Sequence, residues 1–183
     1  MIVVSIAEQR LYHLSASFHM LTSYQVSSAA LGVGQQMNSY QTPLGLHMVS
    51  ELYGHNNPVD TVYIGRRETG ERYSAALAKA HPDRDWILSR IIRLSGLEMG
   101  YNRGGEVDTH MRYIYLHGCP DSSEMGVPLS HGCIRMRNLE VAELFDCITV
   151  GDFVYITELP WSIDVQETIS VVVKRCTLRS DTL

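Results

Sequence analysis

The chain has 183 residues, 45% of them hydrophobic, with six prolines and a formal net charge of −5. That length and apolar content suit one domain around a single core, and the absence of proline-rich or polar low-complexity runs excludes a disordered linker. An acidic balance without a clustered basic patch argues against nucleic acid or an anionic lipid surface as partner, and with no apolar stretch approaching ~18 residues no membrane span is expected. In chain order, residues 2–6 and 11–14 read as a hairpin around the polar step 7–10, and 18–27 continue the β pattern through Phe18, Met20, Tyr24 and Val26. Gly32, Gly34 and Asn38 break it, and strand-like runs follow at 46–53 and 59–65, separated by Asn56-Asn57-Pro58. Over 83–95 the spacing of Trp86, Ile87, Arg90, Ile91 and Leu94 predicts a helix, capped by Asp83 or Asp85 and stopped by Gly96. Residues 111–117 alternate as a strand, which places His117 at a strand end. The stretch 118–129, with Gly118, Pro120, Gly126 and Pro128, is a loop. Asn138 is expected to cap a helix that buries Val141, Leu144, Phe145 and Ile148.

The chemistry concentrates in Leu129-Ser130-His131-Gly132-Cys133-Ile134-Arg135, preceded by Leu116-His117-Gly118. A thiol with pKa near ~8.5 is only a few per cent thiolate at neutral pH, so a nucleophilic cysteine needs a base beside it, and two histidines are at hand. On an extended segment Cys133 shares a face with His131 and Arg135, which gathers thiol, imidazole and guanidinium in one cleft. Gly132 lets the backbone approach a ligand closely, and amide N–H groups next to a nucleophile are the usual oxyanion donors. Arg135 is a fixed cation suited to a substrate carboxylate, with a structural salt bridge as the competing role. Arg66, Arg67, Arg103, Arg112 and Arg137 also flank the region in sequence. His117-x-Cys119 with His131-x-Cys133 is a second possibility, a Cys2His2 zinc set, although its spacing differs from ordinary fingers and a metal would consume the thiolate.

Ser130-His131-Gly132-Cys133-Ile134-Arg135 with Leu116-His117-Gly118 upstream resembles the active-site signature of the L,D-transpeptidase catalytic domain, YkuD type. Thr42-Pro43-Leu44-Gly45 resembles the Thr-Pro-x-Gly turn of that family, 150–156 its closing strand, and 2–14 its opening hairpin. The resemblance covers 1–157 and implies a mainly-β, sandwich-like catalytic domain with one or two helices, with 158–183 as a C-terminal extension packed on it. It implies Cys133 as nucleophile, His117 as base with its other nitrogen oriented by a backbone carbonyl, Ser130 and His131 in the hydrogen-bond network of the site, and Gly132 and Cys133 as oxyanion donors. Gly118 and Arg135 are the implied substrate contacts, and no cofactor or metal is required.

The implied reaction is acyl transfer on peptidoglycan stem tetrapeptides, through a thioester, at the bond between the L-centre of the diamino acid and the terminal D-alanine. Water as acceptor gives an L,D-carboxypeptidase, and the amine of a second stem gives a 3-3 cross-link or D-amino-acid exchange. Residues 1–10 carry no basic segment and the apolar run stops at Glu8, so no secretory leader is expected. Cys119, Cys133, Cys147 and Cys176 are too scattered for a secreted disulfide framework. The expected setting is therefore the cytoplasm, with precursors or muropeptides as partners and hydrolysis as the outcome. The periplasm applies if a leader has been removed. A zinc-binding or catalytically silent muropeptide-binding domain is the alternative of another class, and oligomeric state is not legible.

Overall fold

The computed structural model describes residues 1–180, without the side chains of 163, 164 and 174–180, so Cys176 lies outside the described residues. Ile2–Ser5 (β1) and Arg10–Leu14 (β2) form the expected antiparallel hairpin, Ile2 facing His13, and Met20–Gln25 (β3) extends it. Gly45–Tyr53 (β4), Thr61–Ile64 (β5) and Arg67–Arg72 (β6) follow, then a short helix at Ala75–Ala80 (α1) capped by the Ser74 hydroxyl. The chain continues through Ile87–Gly96 (β7), Tyr115–Cys119 (β8), Ile134–Arg137 (β9), Asn138–Asp146 (α2), Phe153–Thr157 (β10) and Ile163–Ser180 (α3). Ten strands join in one sheet ordered β3-β2-β1-β10-β4-β7-β5-β6, with β8 on the far edge of β7 and β9 beyond it. The mainly-β class holds, with three α-helices where one or two were expected.

The inner face of this sheet buries Ile2, Val4, Ile92, Leu94, Leu116, Ile134, Met136 and Val154 against Val141, Leu144 and Phe145 of α2. Burying each such side chain contributes roughly 1.5–3 kcal/mol, so this layer is the main source of stability. On the opposite face Val165 and Ile169 of α3 pack on Val3, Tyr12 and Leu14. Among the described residues no helix is long and apolar enough to cross a membrane.

The helix expected over 83–95 is instead β7, the central strand. It is covered on both faces, so its apolar run is nearly continuous rather than alternating. A bulge at Ser89, whose φ is +63°, shifts the register against β8 between Leu88 and Ile91. One inserted residue turns a two-residue period into a three-residue step, which imitates helical spacing. Two smaller expectations also change. The segment 108–113 is a turn held by Asp108, which accepts from the Gly104 and Met111 amides at 2.8 and 3.0 Å, so β8 starts only at Tyr115 and His117 lies mid-strand. Asn138 is the first residue of α2 and not its cap; its Oδ1 accepts from the Ser89 hydroxyl in the core.

Candidate active site

β8 and β9 run parallel, with His117 beside Arg135 and Cys119 beside Arg137. Strand alternation sends Leu116, Ile134 and Met136 into the core and leaves Tyr115, His117 and Arg135 on the other face. Cys133 comes just before β9, packed on the cluster of Tyr63, Ile91 and Tyr115. It lies on a bend spanning 131–133 rather than on an extended segment. The reason is Gly132, with φ +124°, a backbone conformation that side chains resist.

The bend is clamped by the first third of the chain. Thr42 Oγ1 donates to Gly132 O at 3.0 Å while accepting from Ala29 N at 3.0 Å, which explains physically why a threonine stands at the Thr-Pro-x-Gly turn. Ser130 exchanges backbone bonds with Ser28 and Ala30, and Arg135 does so with Ser27. Inside the bend the Ser130 hydroxyl donates to Cys133 O and accepts from Gly132 N at 3.4 Å. Arg112 holds the neighbouring loop, donating to the carbonyls of Gly34, Gln35 and Gln41 and to the Ser39 hydroxyl.

His117 is 2% exposed, and its Nδ1 lies 2.8 Å from Gly118 O. A carbonyl only accepts, so Nδ1 carries the proton in the neutral ring and Nε2 keeps its lone pair. Burial lowers the His117 pKa below its ordinary value, against the Gly118 carbonyl and the Asp85 charge, which raise it. Gly118, expected as a substrate contact, is buried in β8, where a Cβ would strike Asn138 Oδ1 at 2.5 Å and Leu88 O at 2.8 Å. The packing directs its carbonyl to His117, and it lines neither groove described below.

Burial pushes the Cys133 thiol up to about 12, with Asp85 adding to the rise and Arg135 and Arg112 opposing it. The half-buried Sγ lies 3.5 Å from Tyr113 O. Tyr113 itself has φ +56° and sits with Arg66 and Arg93 at 5.0 and 5.3 Å from its ring. The resting pair is therefore a protonated thiol and a neutral imidazole.

Two grooves meet at His131. One, of about 280 Å³, is lined by Asp83, Asp85, Trp86, Cys119, His131 and Arg135. The other, about 210 Å³, is lined by Tyr40, Met111, Arg112, Tyr113 and His131. The His131 side chain is 65% exposed and faces Asp85 at 3.2 Å, away from any enclosed role. Asp85 also takes Arg135 at 2.7 Å, and Arg135 donates to Leu129 O at 3.1 Å. Burial raises the Asp85 carboxyl, but Arg135 and His131 outweigh it and hold the pKa below the usual value. Asp85 escapes a reading of the sequence because it sits in a segment that looks like a helix start; nothing in its neighbours points to the site.

Neither His-x-Cys pair is arranged for a metal. Cys119 Sγ donates to Met136 O at 3.3 Å, and among the described residues no three His, Cys, Asp or Glu side chains converge. Cys119 pairs with Arg137 at the far end of β9 from Cys133, and the three strand steps from Ile134 to Arg137 alone span roughly 10 Å, beyond disulfide reach. Arg137 anchors the 118–129 loop by donating to Asp121 O and Ser123 O.

A thiol on a glycine bend at the start of β9, with a carbonyl-oriented imidazole on the adjoining strand β8, has the make-up of a cysteine acyl-transfer centre on a mainly-β scaffold. The L,D-transpeptidase catalytic domain of the YkuD type matches residues 1–156, and the chain belongs to that family. It is an L,D-transpeptidase-family enzyme. A probable L,D-transpeptidase of Escherichia coli K12, YcfS, is 28% identical over 167 residues, 90% of this chain and 46% of that protein. The chain thus spans about half the length of the curated relative it matches. Among solved structures, Bd1075 of Bdellovibrio bacteriovorus superposes with a TM-score of 0.54 at 18% identity, covering 95% of this chain and 55% of that one. An L,D-transpeptidase from Mycobacterium smegmatis gives 0.52 at 18%, covering 85% and 57%. A third, LdtMt1 in complex with imipenem, gives 0.51 at 17%, covering 85% and 57%.

Proposed function

We propose that this enzyme cleaves peptidoglycan stem tetrapeptides between the L-centre of the diamino acid and the terminal D-alanine, through a thioester on Cys133, with water as the favoured acceptor. The observation that carries the reading is the 2.8 Å contact of His117 Nδ1 with Gly118 O, which leaves Nε2 free as a base on β8, the strand paired with the β9 that follows directly from Cys133. Because the thiol is protonated at rest, its proton leaves as sulfur attacks the carbonyl carbon, and His117 receives it. The amides of Gly132 and Cys133 are the oxyanion donors in this reading. The long 3.4 Å bond from Gly132 N to Ser130 Oγ is readily exchanged for a charged partner. Collapse expels D-alanine, whose amine takes the proton from His117, and water then breaks the thioester with His117 as base. Arg135 binds a substrate carboxylate.

Hydrolysis is favoured because water is always present at high concentration, whereas an acceptor stem needs a dedicated second subsite. A donor stem takes the groove of Asp85 and Arg135, and the departing residue leaves on the Tyr40–Tyr113 side. Transpeptidation is the second reading, favoured by the likeness to YcfS over 90% of this chain. We place the reaction in the cytoplasm, on precursors or muropeptides. The exposed thiol of Cys147 and the unpaired Cys119 and Cys133 fit a reducing compartment.

Incubation with a disaccharide-tetrapeptide, read by mass spectrometry, tests the assignment. Disaccharide-tripeptide with free D-alanine is expected, together with an imipenem adduct on Cys133. Cross-linked dimer as the main product makes the enzyme a transpeptidase. Neither product and no adduct leave a silent binding domain.

A further inference from the structure

Asp85 has no task in the acyl-transfer steps, yet it stands inside the larger groove with its side chain 45% exposed. Its Oδ1 meets Arg135 Nη2 at 2.7 Å and its Oδ2 meets His131 Nδ1 at 3.2 Å. The groove's His131 and Arg135 stand two residues before and after Cys133, so it adjoins the bend that carries the nucleophile. Arg135 spends one N–H on Asp85 and one on Leu129 O, out of the five a guanidinium carries, and each carboxylate oxygen can accept more than one bond.

A ligand with one charge fits this pair badly. A lone carboxylate gains Arg135 but meets Asp85, and a lone ammonium gains Asp85 but meets Arg135. A group that presents both charges on one carbon closes an alternating ring of four charges, each joined to opposite neighbours by charge-assisted hydrogen bonds. We infer that Asp85 and Arg135 form a receptor for a zwitterionic amino-acid head, and that in the proposed reaction this head is the distal end of the stem's diamino acid. The preferred stem therefore carries a diamino diacid, with free amino and carboxyl groups at the far centre, and not a lysine-type residue that ends in an ammonium alone. The terminal D-residue, a carboxylate without an ammonium, is the poorer occupant. Asp85 is a specificity-determining residue and not the orienter of the base, since His117 Nδ1 is held by Gly118 O.

This inference rests on the stem-peptide reading, and binding without turnover separates the two. Cys133→Ala protein is titrated calorimetrically with three tetrapeptides that differ only at position three: the diamino diacid, the same residue with its far carboxyl amidated, and lysine. The diamino diacid is expected to bind at least ~10-fold more tightly than either. Asp85→Asn and Arg135→Lys, added singly, are expected to shrink that ratio to within about threefold. The ratio is internal to each protein, so a destabilised variant still reports it, and if a variant fails to fold the Cys133→Ala comparison decides. Equal binding of the three stems, or a ratio untouched by Asp85→Asn, overturns the receptor. Release of D-alanine from all three at equal kcat/KM sinks the receptor and leaves the reaction standing; selective binding without release by the wild type does the reverse.

Discussion

His117-x-Cys119 lies inside β8, with the two side chains 2% and 1% exposed, while His131-x-Cys133 lies on a glycine bend with its histidine side chain 65% exposed. The spacing is the same and the residues are the same, but the two segments divide the work crosswise. β8 contributes its histidine, because burial keeps the ring neutral and a backbone carbonyl orients it. The bend contributes its cysteine, because a thiol off the regular ladder can meet a carbonyl carbon. Cys119 borders the larger groove but is 1% exposed, with its Sγ donating to Met136 O from within the regular ladder. Residue type alone thus assigns nothing; backbone setting decides which member of each pair reacts.

The sharpest way to break this comparison is to exchange its two cysteines in turn. Cys133→Ala is expected to abolish D-alanine release, a loss of at least ~10³-fold, whereas Cys119→Ser retains the greater part because a hydroxyl can still donate to Met136 O. Equal losses, measured as kcat/KM with a thermal melt alongside, would erase the division. The histidines come next. His117→Gln is expected to cost ~10²–10⁴-fold in kcat, as for removal of a general base, and His131→Gln no more than ~10-fold, chiefly in KM. A reversed order would make the exposed imidazole the base. The smallest effect concerns pH. Only neutral His117 can accept the thiol proton, and burial lowers its pKa, so the acid limb of kcat/KM should fall below the ordinary histidine value of ~6.5 with full activity kept above it. A limb centred above that value would show that His117 is not held as the structure holds it.

Much of this was legible in the chain. The hairpin at 2–14 follows from alternation, the closing strand from the family resemblance, and the signature around Cys133 is local; the extended segment expected at Cys133 is instead a bend at Gly132. What escaped depends on partners distant in sequence. β7 reads as a helix because its Ser89 bulge and its cover on both faces remove the alternation that marks a strand. That error also hid Asp85, which looks like a helix cap until the strand is recognised and its carboxylate is found between His131 and Arg135. His117 was placed at a strand end because the turn at 108–113, built by Asp108 and a left-handed Tyr113, leaves no periodic trace. The packing that requires glycine at 118, with Leu88 O and Asn138 Oδ1 where a Cβ would stand, is likewise set by residues distant in sequence.

The hydrogen bond from Thr42 to Gly132 O joins residues 90 positions apart, and β1 pairs in parallel with β10 across still more of the chain. Closing such loops is entropically slow and local propensity does little to hasten it. The nucleophile is thus shaped by a contact that exists only once the opening third of the chain has docked on the closing third. Acyl transfer at Cys133, as distinct from the bare reactivity of its thiol, therefore waits on the completion of folding: a newly made chain holds every catalytic side chain well before the bend that sets its nucleophile exists.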